Sequence, residues 1–412
     1  MAKTILVAGY TKKKNVEEIR SFFPNETVIM VCAYARKPLS ATKQEYLTLF
    51  DGTYDLTNED DCKKLSADSA SIDCVTCSQE RDMVAYIKSL LLCGKITSEQ
   101  SVLYTTAINK HTFKESIEKT NPELVPSHHV VTPKLLENLD ALTYPQVIKP
   151  SGLAGSTMIR VVHSAKEFSE HYQNFAGKMQ EIANEHYSKD VEILTESFVQ
   201  GPQYSVNAYI HASGNIVFAP AVRVVTPQEM GINDTYSVFQ YTTDELTPAE
   251  ITSLEAAVTT IVKHFSILDT SAHFDAVLDN GQWKFFEVGL RYGGHRQKLY
   301  EFSHHMNTLK NDILNRLGHT ILIPEQKKNV CILQKCVTHS GTLKSISYTR
   351  TITEEKMPLV IESKLAKVGS EVMPLSLGGG TITRHFIVGM ELVDVLATSR
   401  ELFDAIQLEL SN

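Results

Sequence analysis

The chain has 412 residues, a formal net charge of -8 and a pI near 6.0. This length exceeds what one hydrophobic core fills, so we expect two or three cooperating domains. The acidic balance argues against a nucleic-acid partner, which would need clustered Lys and Arg. No apolar run is long enough for a bilayer span, so no membrane partner is expected either.

Cysteine usage and the N-terminal segment predict a cytoplasmic protein. The seven cysteines are an odd number spread over a long chain, which is typical of a reducing compartment. The short apolar run at residues 4–8 precedes the lysines at 12–14, the reverse of a secretory signal. Cys74 and Cys77 form the only close pair, and a structural role is favoured because no further ligands follow at metal-binding spacing.

Residues 1–108 are predicted to form an N-terminal α/β domain. Strand patterns at residues 4–8, 27–33 and 71–76 alternate with helical patterns at 16–23 and 81–92. Such alternation favours a small parallel sheet. Gly9 follows the first strand without a G-x-G-x-x-G fingerprint, so it indicates a turn rather than a dinucleotide site.

Residues 109–325 contain the patterns that carry chemistry. A strand ends at Pro150, and Lys149 precedes a Gly/Ser loop at residues 151–156. An ammonium beside a flexible loop rich in backbone N–H groups can hold a triphosphate. P-loop spacing is absent, and an ordinary buried lysine followed by a plain loop is the equally weighted alternative.

The second pattern is a hairpin around Asn280-Gly281, the strongest local hairpin signal. Asp275 and Glu287 are twelve residues apart across this turn, and an even separation lets both side chains point to one face. Two converging carboxylates suit Mg²⁺ next to phosphates, whereas two exposed carboxylates are the alternative. Arg291 follows at a spacing that would place a guanidinium against the charge on a terminal phosphate.

Residues 326–412 are predicted to form a C-terminal α+β lobe. Short strands are expected at residues 330–337 and 342–348, with a closing helix near 399–410. The glycines at 378–380 favour a plain turn over a phosphate nest.

Taken together, the segments 147–156, 196–201 and 275–294 resemble the ATP-grasp superfamily. The resemblance covers nearly the whole chain: residues 109–114 resemble the opening of the grasp region, 78–80 its acidic loop, and 330–412 the C-terminal lobe of amino-acid ligases. Dipeptide-forming L-amino acid ligases are the relatives it resembles. The implied fold class is α/β and α+β: an ATP-grasp fold with an N-terminal Rossmann-like domain, a grasp region whose small lobe spans about 140–200, and a C-terminal α+β lobe.

The resemblance also implies roles for individual residues. It implies ATP and Mg²⁺ as cofactors, with Mn²⁺ as an alternative metal, and Asp275 and Glu287 as metal ligands. Arg291 and Lys149 would be catalytic. Nucleotide contacts are implied for Lys110, Lys149, Ser151, Gly152, Gly155, Ser156, Glu196, Ser197, Phe198, Val199 and Gln203. The substrate candidates are Arg223, Gly294, His295 and Arg296, with a structural salt bridge equally open for each of the three cationic side chains.

The implied function is an ATP-dependent carboxylate–amine ligase that forms an amide through an acyl phosphate and releases ADP and phosphate. Its partners would be small carboxylates and amines, chiefly amino acids. The resemblance to this family also implies a homodimer. One alternative loads an amino acid onto a carrier protein or natural-product intermediate. Another, from a different class, is an ATP-binding protein without catalysis.

Three positions depart from the family pattern. The usual Glu-x-Asn metal motif reads Glu287-Val288-Gly289, which lacks one oxygen ligand. Neutral Gln203 stands where an acidic residue usually holds the ribose, and an amide bonds a hydroxyl less strongly than a carboxylate does. Asp275 stands where glutamate is commoner, which shortens the side chain by one methylene.

Overall fold

The computed structural model describes residues 2–11, 13–35, 45–152, 158–186, 192–232, 236–243, 245–293, 296–349 and 359–411. The loop residues Gly155 and Ser156 and the substrate candidates Gly294 and His295 lie outside these ranges. None of the helices within them is both long and apolar enough to cross a bilayer. The chain is a mixed α/β protein whose described strands form four sheets.

The N-terminal residues form a parallel sheet in the order β3-β2-β1-β4, as the sequence predicted. Its strands are β1 (Lys3–Ala8), β2 (Val28–Tyr34), β3 (Gly52–Asp55) and β4 (Cys74–Thr76). The helices of this region are α1 (Lys13–Ser21), α2 (Glu59–Ala67), α3 (Met83–Leu92) and α4 (Ser98–Ile108). Residues 5–8 of β1 are all buried, as expected for a parallel strand covered on both faces.

Helix α5 (Lys110–Glu118) connects this sheet to a small antiparallel sheet. Asn109 caps α5, its side chain accepting from the backbone N–H groups of residues 111 and 112. The small sheet has the order β5-β8-β6-β7. Its elements are β5 (His128–Val130), α6 (Pro133–Leu136), β6 (Gln146–Pro150), β7 (Arg160–Val162), α7 (Ala165–His186) and β8 (Ile193–Ser197).

A nine-stranded antiparallel sheet dominates the rest of the chain, in the order β14-β13-β9-β11-β12-β15-β19-β17, with β10 paired to β9. Its first strands are β9 (Gln203–Ile210), β10 (Ile216–Phe218), β11 (Val222–Val225), β12 (Phe239–Thr242), β13 (Thr270–Asp279) and β14 (Gln282–Gly289). Helix α8 (Pro248–His264) lies between β12 and β13 in the chain, and α9 (Arg296–His304) and α10 (Thr308–Arg316) follow β14.

The C-terminal residues extend this sheet and also form a small sheet of their own. β15 (Asn329–Lys335) pairs with β12, and β17 (Leu359–Lys364) and β19 (Thr383–Gly389) follow. A three-stranded sheet contains β16 (Gly341–Tyr348), β18 (Glu371–Val372) and β20 (Ile406–Ser411). The main sheet therefore runs through the predicted boundary between residues 325 and 326, and the domain limits themselves stay a prediction.

The closing helix was misplaced by sequence reasoning. Helix α11 runs from Leu392 to Ala405, and the predicted helical residues 406–410 belong to β20. Their side chains alternate apolar and polar along Ile406-Gln-Leu-Glu-Leu410, which is the two-residue period of a strand.

A buried carboxylate ties the N-terminal sheet to the large sheet. Asp312 on α10 accepts hydrogen bonds from Thr76 Oγ1 on β4 and Ser271 Oγ on β13, each at 2.6 Å. Arg316, one turn later, lies 3.0 Å from the same carboxylate and compensates its charge. This junction fixes β4 next to β13, and β13 carries the acidic pair predicted for the site.

Candidate active site

The β13–β14 hairpin holds the two predicted metal ligands side by side. Asn280 and Gly281 both have positive φ, 47° and 82°, as a two-residue type I′ turn requires. Asp275 lies directly opposite Glu287 in the antiparallel register, with an irregularity just after Asp275. Residues directly opposite each other project to the same face, so both carboxylates lie on one face of the hairpin. The space in front of this face is called the cleft below.

Each carboxylate is held by a different cation. Lys110 Nζ, at the start of α5, lies 3.2 Å from Glu287 Oε2, and Arg296 Nη2 lies 3.3 Å from Asp275 Oδ1. Burial alone would raise the pKa of Glu287, but the combined attraction of Lys110, His273 and Lys149, with Lys110 the strongest of the three, lowers that pKa to about 2. Glu287 is therefore ionised throughout the physiological range, and each carboxylate has a cation that phosphate oxygens can compete for.

A histidine and a second glutamate complete the end of the cleft next to Glu287. Side-chain ligand atoms of Glu80, His273 and Glu287 all lie within 4.8 Å of one another. His273 Nε2 is 4.0 Å from Glu287 Oε1, and its Nδ1 is 3.0 Å from the Arg291 carbonyl oxygen. Asp275 is not part of this cluster, because its side chain is shorter and Arg296 holds it.

Arg291, predicted to stabilise the transferring phosphoryl group, is fixed at the same end. Its Nε donates to Glu80 Oε2 at 2.9 Å, and its Nη1 donates to the Tyr292 carbonyl at 2.9 Å. No group in the described ranges accepts a hydrogen bond from Nη2. The guanidinium is thus oriented by two contacts and keeps one edge for an anion.

Lys149 takes part in a buried ion cluster with Glu196. Lys149 Nζ contacts Glu196 Oε1, and Lys114 Nζ lies 3.1 Å from Glu196 Oε2. Lys114 is fully buried and also donates to the carbonyls of Lys110 and Phe286. Burial lowers the pKa of Lys114 to about 7, against the opposing attraction of Glu196. The carboxylate of Glu196 therefore serves the lysines, and any role in adenine binding falls to its backbone.

The predicted loop and hinge residues are already partly engaged. Ser151 is buried, its Oγ accepts from Glu192 N–H at 3.2 Å, and its carbonyl accepts from Lys110 N–H at 3.1 Å. The N–H groups of Ser197 and Phe198 donate to other backbone carbonyls. Val199 N–H donates to none of the described groups, which leaves it for a base edge. Gly152, next to Ser151, is half-buried, and Gln203 begins β9 beside the hinge.

Arg223, a substrate candidate from the sequence, is occupied by structural contacts. Its guanidinium contacts the Glu229 carboxylate and the Val224 carbonyl, and its Nη1 lies 3.3 Å from the Gln203 carbonyl. The salt-bridge alternative describes it better. Arg296 is likewise paired with Asp275 and also donates to Gln240 Oε1 at 3.2 Å.

The close cysteine pair lies in the protein interior. Cys74 and Cys77 are both buried as free thiols. Burial raises the pKa of Cys74 to about 12 and that of Cys77 further, so neither is a thiolate near neutral pH. A structural role, as the sequence favoured, is consistent with this.

Three members of this site had no individual role predicted from the sequence, although segments 78–80 and 109–114 contain two of them. His273 stands two residues before Asp275 on one strand, so it shares the face of the carboxylate. Lys114 stands four residues after Lys110 on one helix face. Glu80 is 211 residues from Arg291, and no local pattern indicates that contact.

The chain is similar to known proteins in part of its sequence and in its whole fold. The family model described as "ATP-grasp domain" matches residues 142–298. The chain has the ATP-grasp fold. The chain superimposes on the L-amino acid ligase of Bacillus licheniformis with a TM-score of 0.77 at 17% identity, over 100% of this chain and 99% of that one.

Two further structures share the ATP-grasp fold. Phosphoribosylglycinamide synthetase of Anaerococcus prevotii gives a TM-score of 0.61 at 16% identity, over 100% of both chains. The biotin carboxylase domain of Hydrogenobacter thermophilus 2-oxoglutarate carboxylase, in complex with MgADP and bicarbonate, gives 0.61 at 12% identity, over 100% of this chain and 91% of that one. No curated protein sequence matches. The ATP-grasp fold predicted from the sequence is therefore confirmed.

The residues present fit one Mg²⁺ ion. Asp275 and Glu287 offer hard oxygen ligands on one face, and Mg²⁺ in nucleotide sites takes one or two carboxylates together with phosphate oxygens and water. Gly289, which stands where the metal motif usually has asparagine, provides no further oxygen ligand. The imidazole ring of His273 packs against Gly289 in the space where a side chain at this position would lie.

Proposed function

We propose that this ATP-grasp protein is an ATP-dependent carboxylate–amine ligase that joins amino acids, or an amino acid and another amine, through an acyl phosphate. The observation that carries the proposal is the grouping of Asp275, Glu287, Lys110 and Arg291 at one end of the hairpin. Carboxylates for a metal, an ammonium for phosphates and an oriented guanidinium are the parts that phosphoryl transfer requires. The likeness to an amino acid ligase in overall fold supports the choice of substrate class.

In this proposal ATP lies between the small sheet and the large sheet. Lys110 and Lys149 contact its phosphates, the 151–156 loop covers them, and Val199 N–H pairs with the adenine edge. Asp275 and Glu287 hold Mg²⁺, which supplies charge neutralisation and Lewis acidity to the phosphates when bound. Arg291 stabilises the equatorial oxygens of the phosphoryl group during transfer.

The bond changes follow from that placement. A substrate carboxylate oxygen attacks the terminal phosphorus, and ADP leaves. The amine nitrogen then attacks the carbonyl carbon of the acyl phosphate, the C–O bond to phosphate breaks, and the amide and free phosphate result. We propose these substrates as small molecules. Loading of a carrier protein, homodimerisation and a cytoplasmic location stay predictions.

The experiment is a substrate screen with matched variants. Purified protein receives MgATP and pairs drawn from a panel of amino acids and amines, with ADP and phosphate measured and products identified by mass spectrometry. Wild type should release both with at least one pair, and Arg291→Ala and Glu287→Ala should not. Glu59→Gln, an exposed carboxylate on α2, is the control and should behave as wild type. ATP binding without ADP release across the whole panel would favour the non-catalytic ATP-binding protein instead.

A further inference from the structure

The metal motif of this chain is incomplete at Gly289, and His273 fills the space next to it. His273 and Gly289 are directly opposite each other on β13 and β14. A Cβ built at position 289 would lie 2.8 Å from His273 Nδ1, closer still to ring carbon Cε1. The histidine ring therefore occupies this space only because residue 289 has no side chain, and an asparagine there would exclude it.

The orientation of the ring leaves one nitrogen for a ligand. His273 Nδ1 lies 3.0 Å from the Arg291 carbonyl oxygen, which can only accept, so Nδ1 carries the hydrogen. Nε2 of the neutral ring then carries the lone pair and faces the carboxylates. This is how proteins fix the tautomer of a metal-binding histidine, by bonding the other ring N–H to a carbonyl.

The spacing of the ligand atoms matches a cation position. A metal with bonds of about 2.1 Å places its ligand atoms between roughly 3 and 4.2 Å apart in octahedral geometry. His273 Nε2 and Glu287 Oε1 are 4.0 Å apart, which lies within this range. The ligand atoms of the set that includes Glu80 lie within 4.8 Å of one another, so the Glu80 side chain would have to close by up to about 0.6 Å to bind the same ion. His273 is 3% exposed, so an unbound lone pair there is shielded from water.

We infer that His273 supplies a nitrogen ligand to the metal bound with the nucleotide, in place of the oxygen ligand that Gly289 cannot provide. The inference rests on the proposed ATP-dependent function. An imidazole ligand favours divalent transition metals over Mg²⁺, because nitrogen is the softer donor. The cations it selects are Mn²⁺ and Co²⁺. Glu287 is the ligand common to the Asp275–Glu287 pair and to this cluster, and Glu80 is a further oxygen ligand beside His273.

The test is a spectroscopic search for protein nitrogen bound to Mn²⁺. Uniformly ¹⁵N-labelled protein is combined with Mn²⁺ and unlabelled ADP, and electron spin echo envelope modulation detects ¹⁵N bound directly to the metal. Labelling only the protein separates a histidine nitrogen from an adenine nitrogen. Wild type should show the ¹⁵N coupling, and His273→Phe should lose it together with about tenfold or more of Mn²⁺ affinity, since even outer-sphere partners of metal ligands contribute 10- to 100-fold.

Two further variants guard against a folding failure. His304→Phe changes another buried histidine, on α9, whose Nδ1 bonds Ser303, and should keep the coupling. The double variant His273→Ser/Gly289→Asn restores the Glu-x-Asn pattern and should bind Mn²⁺ without direct ¹⁵N coupling while gaining Mg²⁺ affinity. Nucleotide-dependent Mn²⁺ binding in wild type without ¹⁵N coupling would overturn the role of His273 alone. Absence of nucleotide-dependent binding of either metal would overturn the proposed function as well.

Discussion

Glu196→Gln tests the buried ion cluster that ties α5 to the small sheet. The side chains of Lys114, Lys149 and Glu196 are 0%, 5% and 5% exposed. Replacing the carboxylate with an amide leaves two ammonium groups buried without their counterion. Removing one partner of a buried pair costs about 3–5 kcal/mol, because the remaining charge is uncompensated. We expect a loss of that size in the free energy of unfolding at pH 6.

The pH dependence of that loss follows from Lys114. Its pKa is lowered from 10.5 to about 7, so between those values the unfolded chain holds a proton that the folded chain has released. The free energy of unfolding therefore rises with pH across this window, by at most about 1.4 kcal/mol per pH unit. In Glu196→Gln the folded-state pKa of Lys114 drops further, and the window extends below pH 7. The variant should be closer to wild type at pH 9 than at pH 6.

Urea denaturation followed by circular dichroism at both pH values measures the effect. Glu192→Gln changes an exposed carboxylate on the same segment and should stay within about 0.5 kcal/mol of wild type. Glu196→Gln/Lys114→Met removes one of the stranded charges and should recover part of the loss. A Glu196→Gln loss below about 1 kcal/mol at pH 6, unchanged at pH 9, would refute the reasoning.

Three further predictions concern the cleft. Arg291→Lys keeps the charge but loses the two contacts that orient the guanidinium. The rate of ADP release under saturating substrate should therefore fall by about 10³-fold, and near-wild-type turnover would contradict a role of Arg291 in phosphoryl transfer. Gly289→Ala pushes a methyl group into the His273 ring and should lower the free energy of unfolding by about 1–3 kcal/mol. The double variant Gly289→Ala/His273→Ala should recover part of this loss, and an unchanged stability of the single variant would contradict the close packing of His273 against residue 289. The pKa of Glu287 is lowered to about 2, so the stabilising contribution of its carboxylate is present above about pH 4.5 and is lost as the pH falls toward 2. In Glu287→Gln the free energy of unfolding should therefore fall less steeply with decreasing pH than in wild type. Identical slopes in acid denaturation would contradict the ion pair with Lys110.

The parts of the fold set by local chemistry were predictable. Asn280-Gly281 fixes a two-residue turn and the register as far as Ala276 opposite Phe285. The irregularity after Asp275, which the turn does not predict, then shifts the register by one residue and sets Asp275 opposite Glu287. The alternation of strand and helix patterns likewise gave the parallel N-terminal sheet.

Contacts between distant segments were not predictable in the same way. Nothing local to β12 or β15 indicates that they pair, although this pairing joins the C-terminal strands to the large sheet. Lys114 and Glu196 are distant in sequence, and their ion pair depends on how α5 packs against β8. His273 can occupy its place in the site only because Gly289 has no side chain. A search of the sequence for ligand residues does not detect this, because it looks for side chains that are present.

If a substrate carboxylate is activated by phosphoryl transfer, one of its oxygens must end up in the released phosphate. The amino-acid panel is supplied with ¹⁸O-labelled carboxyl groups together with MgATP, and the released phosphate is analysed by mass spectrometry. An acyl phosphate transfers one carboxylate oxygen to phosphorus, so the account predicts ADP and phosphate carrying one ¹⁸O. Amide formation with unlabelled phosphate, or with AMP in place of ADP, would contradict it.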